Sequence, residues 1–229
     1  MAEIPFASLK ALASELKAFE IDYAFTGGSI VGLLLDNPDL TPIRPTDDVD
    51  VIVEVLSRKN YPRFEERLRE RGFLNDSRQG APMCRWIYNT LIVDVMPIEG
   101  SFLGLNTVWF DYALASAVDR VIDGETIRVV SATAFVATKL AAFKDRGEGD
   151  FYGSHDLEDI VAVVDGRERL GYEMLEAEGS LRAYVGREIS KLLGNSNFLE
   201  ALPAHLPPDQ GSQARLPSLI EKLKSLAKV

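Results

Sequence analysis

Asp48-Val49-Asp50-Val51-Ile52-Val53 is the stretch on which the reading of the fold turns. From Val49 onward it is dominated by β-branched apolar residues, the composition of a strand. Alternate side chains of a strand share a face, so Asp48 and Asp50 point the same way, roughly 6 to 7 Å apart along the backbone. Carboxylates so spaced can hold a divalent cation between them. A second apolar run, Leu91-Ile92-Val93-Asp94-Val95-Met96, carries Asp94, where a charge is costly unless it faces a cation or water. Three acids on two buried strands predict one metal site. The competing reading of the Asp48/Asp50 pair alone is structural, a turn residue followed by a solvated edge.

Upstream, Tyr23-Ala24-Phe25-Thr26 reads as a short strand and Ser29 through Leu35 as the first turns of an apolar helix, with Gly27 and Gly28 between them. Glycines let a chain approach a ligand closely, and backbone amides at a helix start favour an anion. A phosphate cradle beside a carboxylate metal site is what a nucleotide-using transferase requires.

Taken in order, Gly27-Gly28-Ser29, Arg44, Thr46, Asp48, Asp50 and Asp94 resemble the signature of the DNA polymerase beta-type nucleotidyltransferase superfamily. The pattern is most similar to its AbiEii-like, MNT-type branch, many of whose members are toxins of toxin-antitoxin pairs. The resemblance covers the first half of the chain well and a later helical stretch more loosely. It departs from the family in a longer gap between Ser29 and Asp48, which implies an inserted loop around Asp36 to Pro42.

The resemblance implies an α+β fold, a polymerase-beta-like core with a short mixed sheet flanked by helices, followed by a C-terminal helical lobe. It implies that Asp48, Asp50 and Asp94 hold Mg2+ (or Mn2+), with a nucleoside triphosphate as co-substrate. Gly27, Gly28, Ser29 and Arg44 then meet the nucleotide. Lys139, within the apolar run Phe135 to Phe143, approaches the triphosphate on this reading, and Asp156, opening the acidic run Asp156-Leu157-Glu158-Asp159, is an active-site acid. On their own residues, Lys139 reads equally as a lysine snorkelling from an apolar helix, and Asp156 as a helix N-terminal acid stabilised by the dipole. His155 and His205 show no metal spacing and receive no role.

At 229 residues and 46% hydrophobic content the chain can build a sizeable core. Its single cysteine, Cys84, excludes an internal disulfide, fits a reducing compartment and reads as a packed small residue. No run reaches the length of a membrane span, and the first residues read as an amphipathic helix and not a signal peptide, so a cytoplasmic protein is expected. A net charge of -10 weighs against a broad nucleic-acid footprint, which needs Lys and Arg. A local basic patch, and RNA as acceptor, stay open.

Periodicity predicts a helix over Pro5 to Phe19 with Leu9, Leu12, Leu16 and Phe19 on one face, and a charged helix over Arg58 to Arg71 ending at Gly72. It further predicts a hairpin of Cys84–Tyr88 with Leu91–Met96 through Asn89-Thr90, stopped by Pro97, and a second hairpin over Val121–Val130 turning at Asp123-Gly124. From Ser131, read as an N-cap, the pattern is helical, with breaks near Gly147 to Gly149, Gly171, Gly194 and Pro203 to Pro217, a linker over Leu206–Gln213, and a final stripe of Leu216, Leu219, Ile220, Leu223 and Leu226 read as intramolecular packing. Two units are therefore expected, residues 1–130 and 131–229. The functional expectation is a toxin-like, metal-dependent nucleotidyltransferase with an antitoxin partner and RNA, protein or a small molecule as acceptor. Its alternatives are an antibiotic-type small-molecule enzyme and a non-catalytic nucleotide-binding regulator, the latter disfavoured because all three acids are present.

Overall fold

Seven strands join in one mixed sheet in the computed structural model, which describes residues 6–38, 44–55, 58–147 and 149–229. In chain order the elements are α1 (Phe6–Lys17), β1 (Tyr23–Thr26), a 3-10 turn (Gly28–Ile30), α2 (Val31–Leu34), β2 (Asp48–Val53), α3 (Tyr61–Glu70), β3 (Phe73–Asn75), β4 (Arg85–Tyr88), β5 (Leu91–Pro97), a second 3-10 turn (Gly100–Leu103), α4 (Phe110–Ala115), β6 (Val118–Ile122) and β7 (Glu125–Val129). They are followed by α5 (Ala132–Arg146), α6 (His155–Gly166), α7 (Leu170–Glu176), α8 (Gly179–Leu193), α9 (Ser196–Ala201), a third 3-10 turn (Leu202–His205), α10 (Gln210–Gln213) and α11 (Leu216–Leu226). The fold class is α+β, as expected from the sequence.

The sheet order is β3-β4-β5-β2-β1-β7-β6. β2 runs parallel to β5 and β1 parallel to β7, while the other neighbours are antiparallel. Both expected hairpins form, the β6–β7 turn placing Asp123 and Gly124 at positive φ, 47° and 81°, the twist that suits flanking strands. Pro97 is the last residue of β5.

The chain divides into two compact units. The first, Met1–Ile30 with Pro45–Ser131, contains the whole sheet. On α1 the apolar stripe Leu9, Leu12 and Leu16 is fully buried, as is Phe19 beyond its end, and α1 lies against β7. Phe19 meets the ring of Phe64 on α3 at 5.6 Å and that of Phe73 on β3 at 6.5 Å. Gly72, at φ +84°, ends α3 as expected. The strand β3 is not anticipated by the sequence, because only Phe73 of its three residues is buried and no alternation is visible.

The second unit is Val31–Arg44 with Ala132–Val229. Its central helix α5 buries residues around most of its circumference, and α6, α7 and α8 pack on it. Leu219, Leu223 and Leu226 of α11 are buried, with α11 lying against α6, α7 and α8. The helices break near Gly171 as expected, α6 ending at Gly166 and α7 opening at Leu170 with Gly171 as its second residue. One sequence expectation fails here. The stretch Leu206–Gln213 is no linker: Leu206 is buried, Asp209 caps α10, and the Gln213 amide donates to the carbonyls of Pro203, Leu206 and Pro207.

Of the inserted loop, residues 39–42 lie outside the described residues, as do Pro5 and Glu148. The part before them is tied to the end of α6, where the Asp36 N–H donates to the Gly166 carbonyl and Arg167 donates to the Leu34 carbonyl. No helix among the described residues is long and apolar enough to cross a membrane.

Candidate active site

Register across the sheet assembles the acids. Thr26 pairs with Asp50, Asp50 with Asp94, and Asp94 with Arg85, so one row crosses β1, β2, β5 and β4. Residues opposite one another share a face, and neighbouring strands lie about 4.8 Å apart. Asp48 precedes Asp50 by one alternation on β2 and joins the same face. Asp94 is buried and the other two carboxylates are partly so. Thr46 donates to Asp48 Oδ1 at 2.8 Å, which orients that carboxylate.

Gly27 sits against this row at φ +73°, and a Cβ there would fall 1.8 Å from Asp50 Oδ2. Only glycine satisfies both the backbone and the contact. The turn continues as the 3-10 stretch Gly28–Ile30, with the Ile30 N–H bonded to the Gly27 carbonyl and Ser29 Oγ 3.5 Å from the Thr26 carbonyl. The expected helix from Ser29 is thus a 3-10 turn followed by the four residues of α2, so an anion placed there would meet local N–H groups more than a macrodipole.

Arg85 is the residue of this site that the sequence reading does not single out. Its Nε donates to Asp94 Oδ1 at 2.8 Å, and its Nη2 donates to Asp94 Oδ2 at 2.7 Å and Asp48 Oδ2 at 3.0 Å. The fork on Asp94 is the strong bidentate geometry, and it drives the Arg85 pKa upward. The neighbouring Cys84 is buried, and burial, with the charges of Asp94 and Asp50, pushes its thiol up to about 12. It is a packed residue and no nucleophile at neutral pH.

Among the described residues, no three Asp, Glu, His or Cys side chains stand arranged as a metal cage. The donors nevertheless suit a hard divalent cation, being all carboxylate oxygen, and the Arg85 guanidinium stands as a cation between Asp48 and Asp94.

The other candidates gather in the second unit. Lys139 is buried, its Nζ 3.2 Å from Asp156 Oδ1 and 2.7 Å from Asp159 Oδ2. Arg146 donates through Nε and Nη2 to the two oxygens of Asp156, each at 2.9 Å. Arg44 lies 3.7 Å from both Glu158 and Asp159. Lys139 therefore does not snorkel: it is held in an ion cluster between α5 and α6, and Arg44 joins that cluster through Asp159. Asp156, in the first turn of a helix capped by Ser154, is pushed up by burial, but Arg146 and Lys139 outweigh that and hold its carboxyl below the ordinary range. Asp159 and Arg146 are members that sequence reasoning passes over; their signal is the one-turn spacing of Asp156 and Asp159 on a helix face. His155 pairs with Glu158 and His205 with the Phe151 carbonyl.

No protein-family model matches the chain, and no curated protein matches its sequence. Among solved structures, the fold is similar to that of an antigenic nucleotidyltransferase-like protein from Paracoccidioides brasiliensis, with 21% sequence identity and a TM-score of 0.54 over 86% of this chain and 91% of that one. The antibiotic-resistance factor ANT(2'')-Ia is matched at 17% identity and a TM-score of 0.48, over 81% of this chain and 92% of that one. At such identities the likeness is one of fold.

Proposed function

We propose that the protein is a metal-dependent nucleotidyltransferase that moves a nucleoside monophosphate from a nucleoside triphosphate to an acceptor hydroxyl. The observation that carries this is the register pairing of Asp50 with Asp94, with Asp48 on the same face and Gly27 pressed against Asp50. Three carboxylates on adjacent strands beside a glycine turn suit a bound metal-triphosphate better than they suit folding alone, since like charges in a partly buried row are costly. The nucleotidyltransferase-like fold supports the same reading.

On this proposal Asp48, Asp50 and Asp94 would hold Mg2+ or Mn2+, which would supply charge neutralisation for the triphosphate. The Gly27-Gly28-Ser29 turn presents N–H groups and a hydroxyl to the phosphates. The acceptor oxygen attacks the α-phosphorus in line, forming the new P–O bond as the α,β-bridging P–O bond breaks. Pyrophosphate leaves with that electron pair, and the hydroxyl proton passes to Asp94. The family resemblance assigns Arg44, Lys139 and the active-site acid Asp156 to the nucleotide as well, and within the second unit Asp156 and Asp159 pair with Lys139. The branch resemblance assigns a toxin-like role, and the antitoxin partner follows from that role alone.

A second reading of the acceptor rests on charge: the chain's net charge of -10 favours a small amine-bearing hydroxyl compound over RNA.

The test uses triphosphates labelled at the α or the γ position, incubated with Mg2+ and, separately, protein lysate, total RNA and amine-bearing sugars. Transfer of the α label with release of pyrophosphate is expected, and Asp94→Asn should keep nucleotide binding while losing transfer. Transfer of the γ label, or unchanged turnover in Asp94→Asn, overturns the assignment.

A further inference from the structure

Arg85 engages two of the three carboxylates that the proposed metal would need. It is partly buried, with a side-chain exposure of 22%, and its guanidinium touches both oxygens of Asp94 and one of Asp48. Its position follows from the hairpin: Arg85 is the register partner of Asp94, which is the partner of Asp50, so it belongs to the same row and cannot avoid the acids. A guanidinium and a divalent cation cannot share the same carboxylate oxygens at full strength, because each is bound by displacing the other's positive charge.

The charge count sharpens this. Asp48, Asp50 and Asp94 carry -3 together and Arg85 +1, leaving the row at -2. A metal ion arriving alone must displace the guanidinium from Asp94 and Asp48 and leave it in a partly buried place without an anion, which is costly. A metal arriving with a triphosphate brings that anion with it. The same positive charge lowers the repulsion that three aspartates exert on a nucleotide polyanion.

Resting on the proposed metal site, we propose that Arg85 is the resident counter-cation of the aspartate row: it competes with the metal for Asp48 and Asp94 and thereby couples metal binding to arrival of the triphosphate. Metal and nucleotide then bind as one, and the acids stay partly neutralised between turnovers. The pair acts reciprocally, since whatever factor the nucleotide adds to metal affinity the metal adds to nucleotide affinity.

Binding of Mn2+ to the full chain, followed by loss of the free-ion paramagnetic signal, tests this with and without a triphosphate whose α,β bridge cannot be cleaved. Wild type should bind Mn2+ weakly alone and at least about tenfold more tightly with the nucleotide analogue. Arg85→Met should bind Mn2+ alone about tenfold more tightly than wild type, with the coupling reduced by a similar factor. A merely structural role for Arg85 predicts the reverse, a looser metal site in Arg85→Met. Arg85→Lys, which keeps the charge but loses the fork, should fall between the two, and it answers the question if the Met variant fails to fold. Equal Mn2+ affinity of wild type and either variant without nucleotide overturns the inference and leaves the metal site standing. Absence of Mn2+ binding in wild type and variants, with nucleotide present, overturns both.

Discussion

At Gly27 two constraints coincide that elsewhere in the chain occur apart. Gly72 has a left-handed φ of +84° and open space where a Cβ would go, whereas Gly27 has φ +73° and the Asp50 carboxylate 1.8 Å from that position. Gly72→Ala should therefore cost only the left-handed penalty, about 1 to 2 kcal/mol, and Gly27→Ala should cost more, because Asp50 must also move. Thermal melts of the two variants give the comparison, and a Gly27→Ala melt as mild as that of Gly72→Ala would remove the close approach from the argument. Much of this scale is legible in the sequence. The shared face of Asp48 and Asp50 follows from strand alternation, and the glycine pair flags the turn. Arg85 was legible too, since a two-residue turn at Asn89-Thr90 pairs Tyr88 with Leu91 and, counting back, Arg85 with Asp94. What no count gives is the parallel pairing of β2 with β5, which joins segments far apart in the chain and is set by packing.

Between α5 and α6, the Lys139, Asp156, Asp159 and Arg146 cluster makes a pH-dependent seam. Burial raises the Asp156 carboxyl, but Arg146 and Lys139 leave it below its ordinary value in the folded chain. The unfolded chain then takes up the proton first as pH falls, so the stabilisation is whole above the ordinary carboxylate pKa of about 3.9 and is lost as pH falls through the lower folded value. Urea midpoints measured from neutral pH down through that range should drop more steeply for wild type than for Asp156→Asn, and parallel slopes would show that the pair contributes nothing. Sequence periodicity found both helices and the lysine's odd setting, but it could not tell a snorkelling lysine from a buried one. That distinction depends on which face of α6 arrives beside α5.

Over the whole molecule, 35 acidic residues against 25 basic ones set the terms on which any acceptor approaches. The cations near the candidate nucleotide contacts do not change this, since Arg44, Lys139 and Arg146 are each matched to a carboxylate. An RNA acceptor is gripped by neutralising its phosphates, and each phosphate contact on a single strand contributes a slope of about -0.7 to log affinity against log salt. With no surplus of positive charge to spend, the chain should bind single-stranded RNA no more tightly than about 10 μM to 100 μM at physiological salt, the weaker part of the non-specific range. Anisotropy of a labelled RNA, read between about 50 and 200 mM salt, should accordingly show little change. A small amine-bearing acceptor reverses the dependence: its attraction to a chain of net charge -10 is screened by salt, so its KM should rise as salt is added while the RNA titration stays flat. Tight RNA binding with a steep negative slope would sink the charge argument and return the acceptor to the nucleic acids.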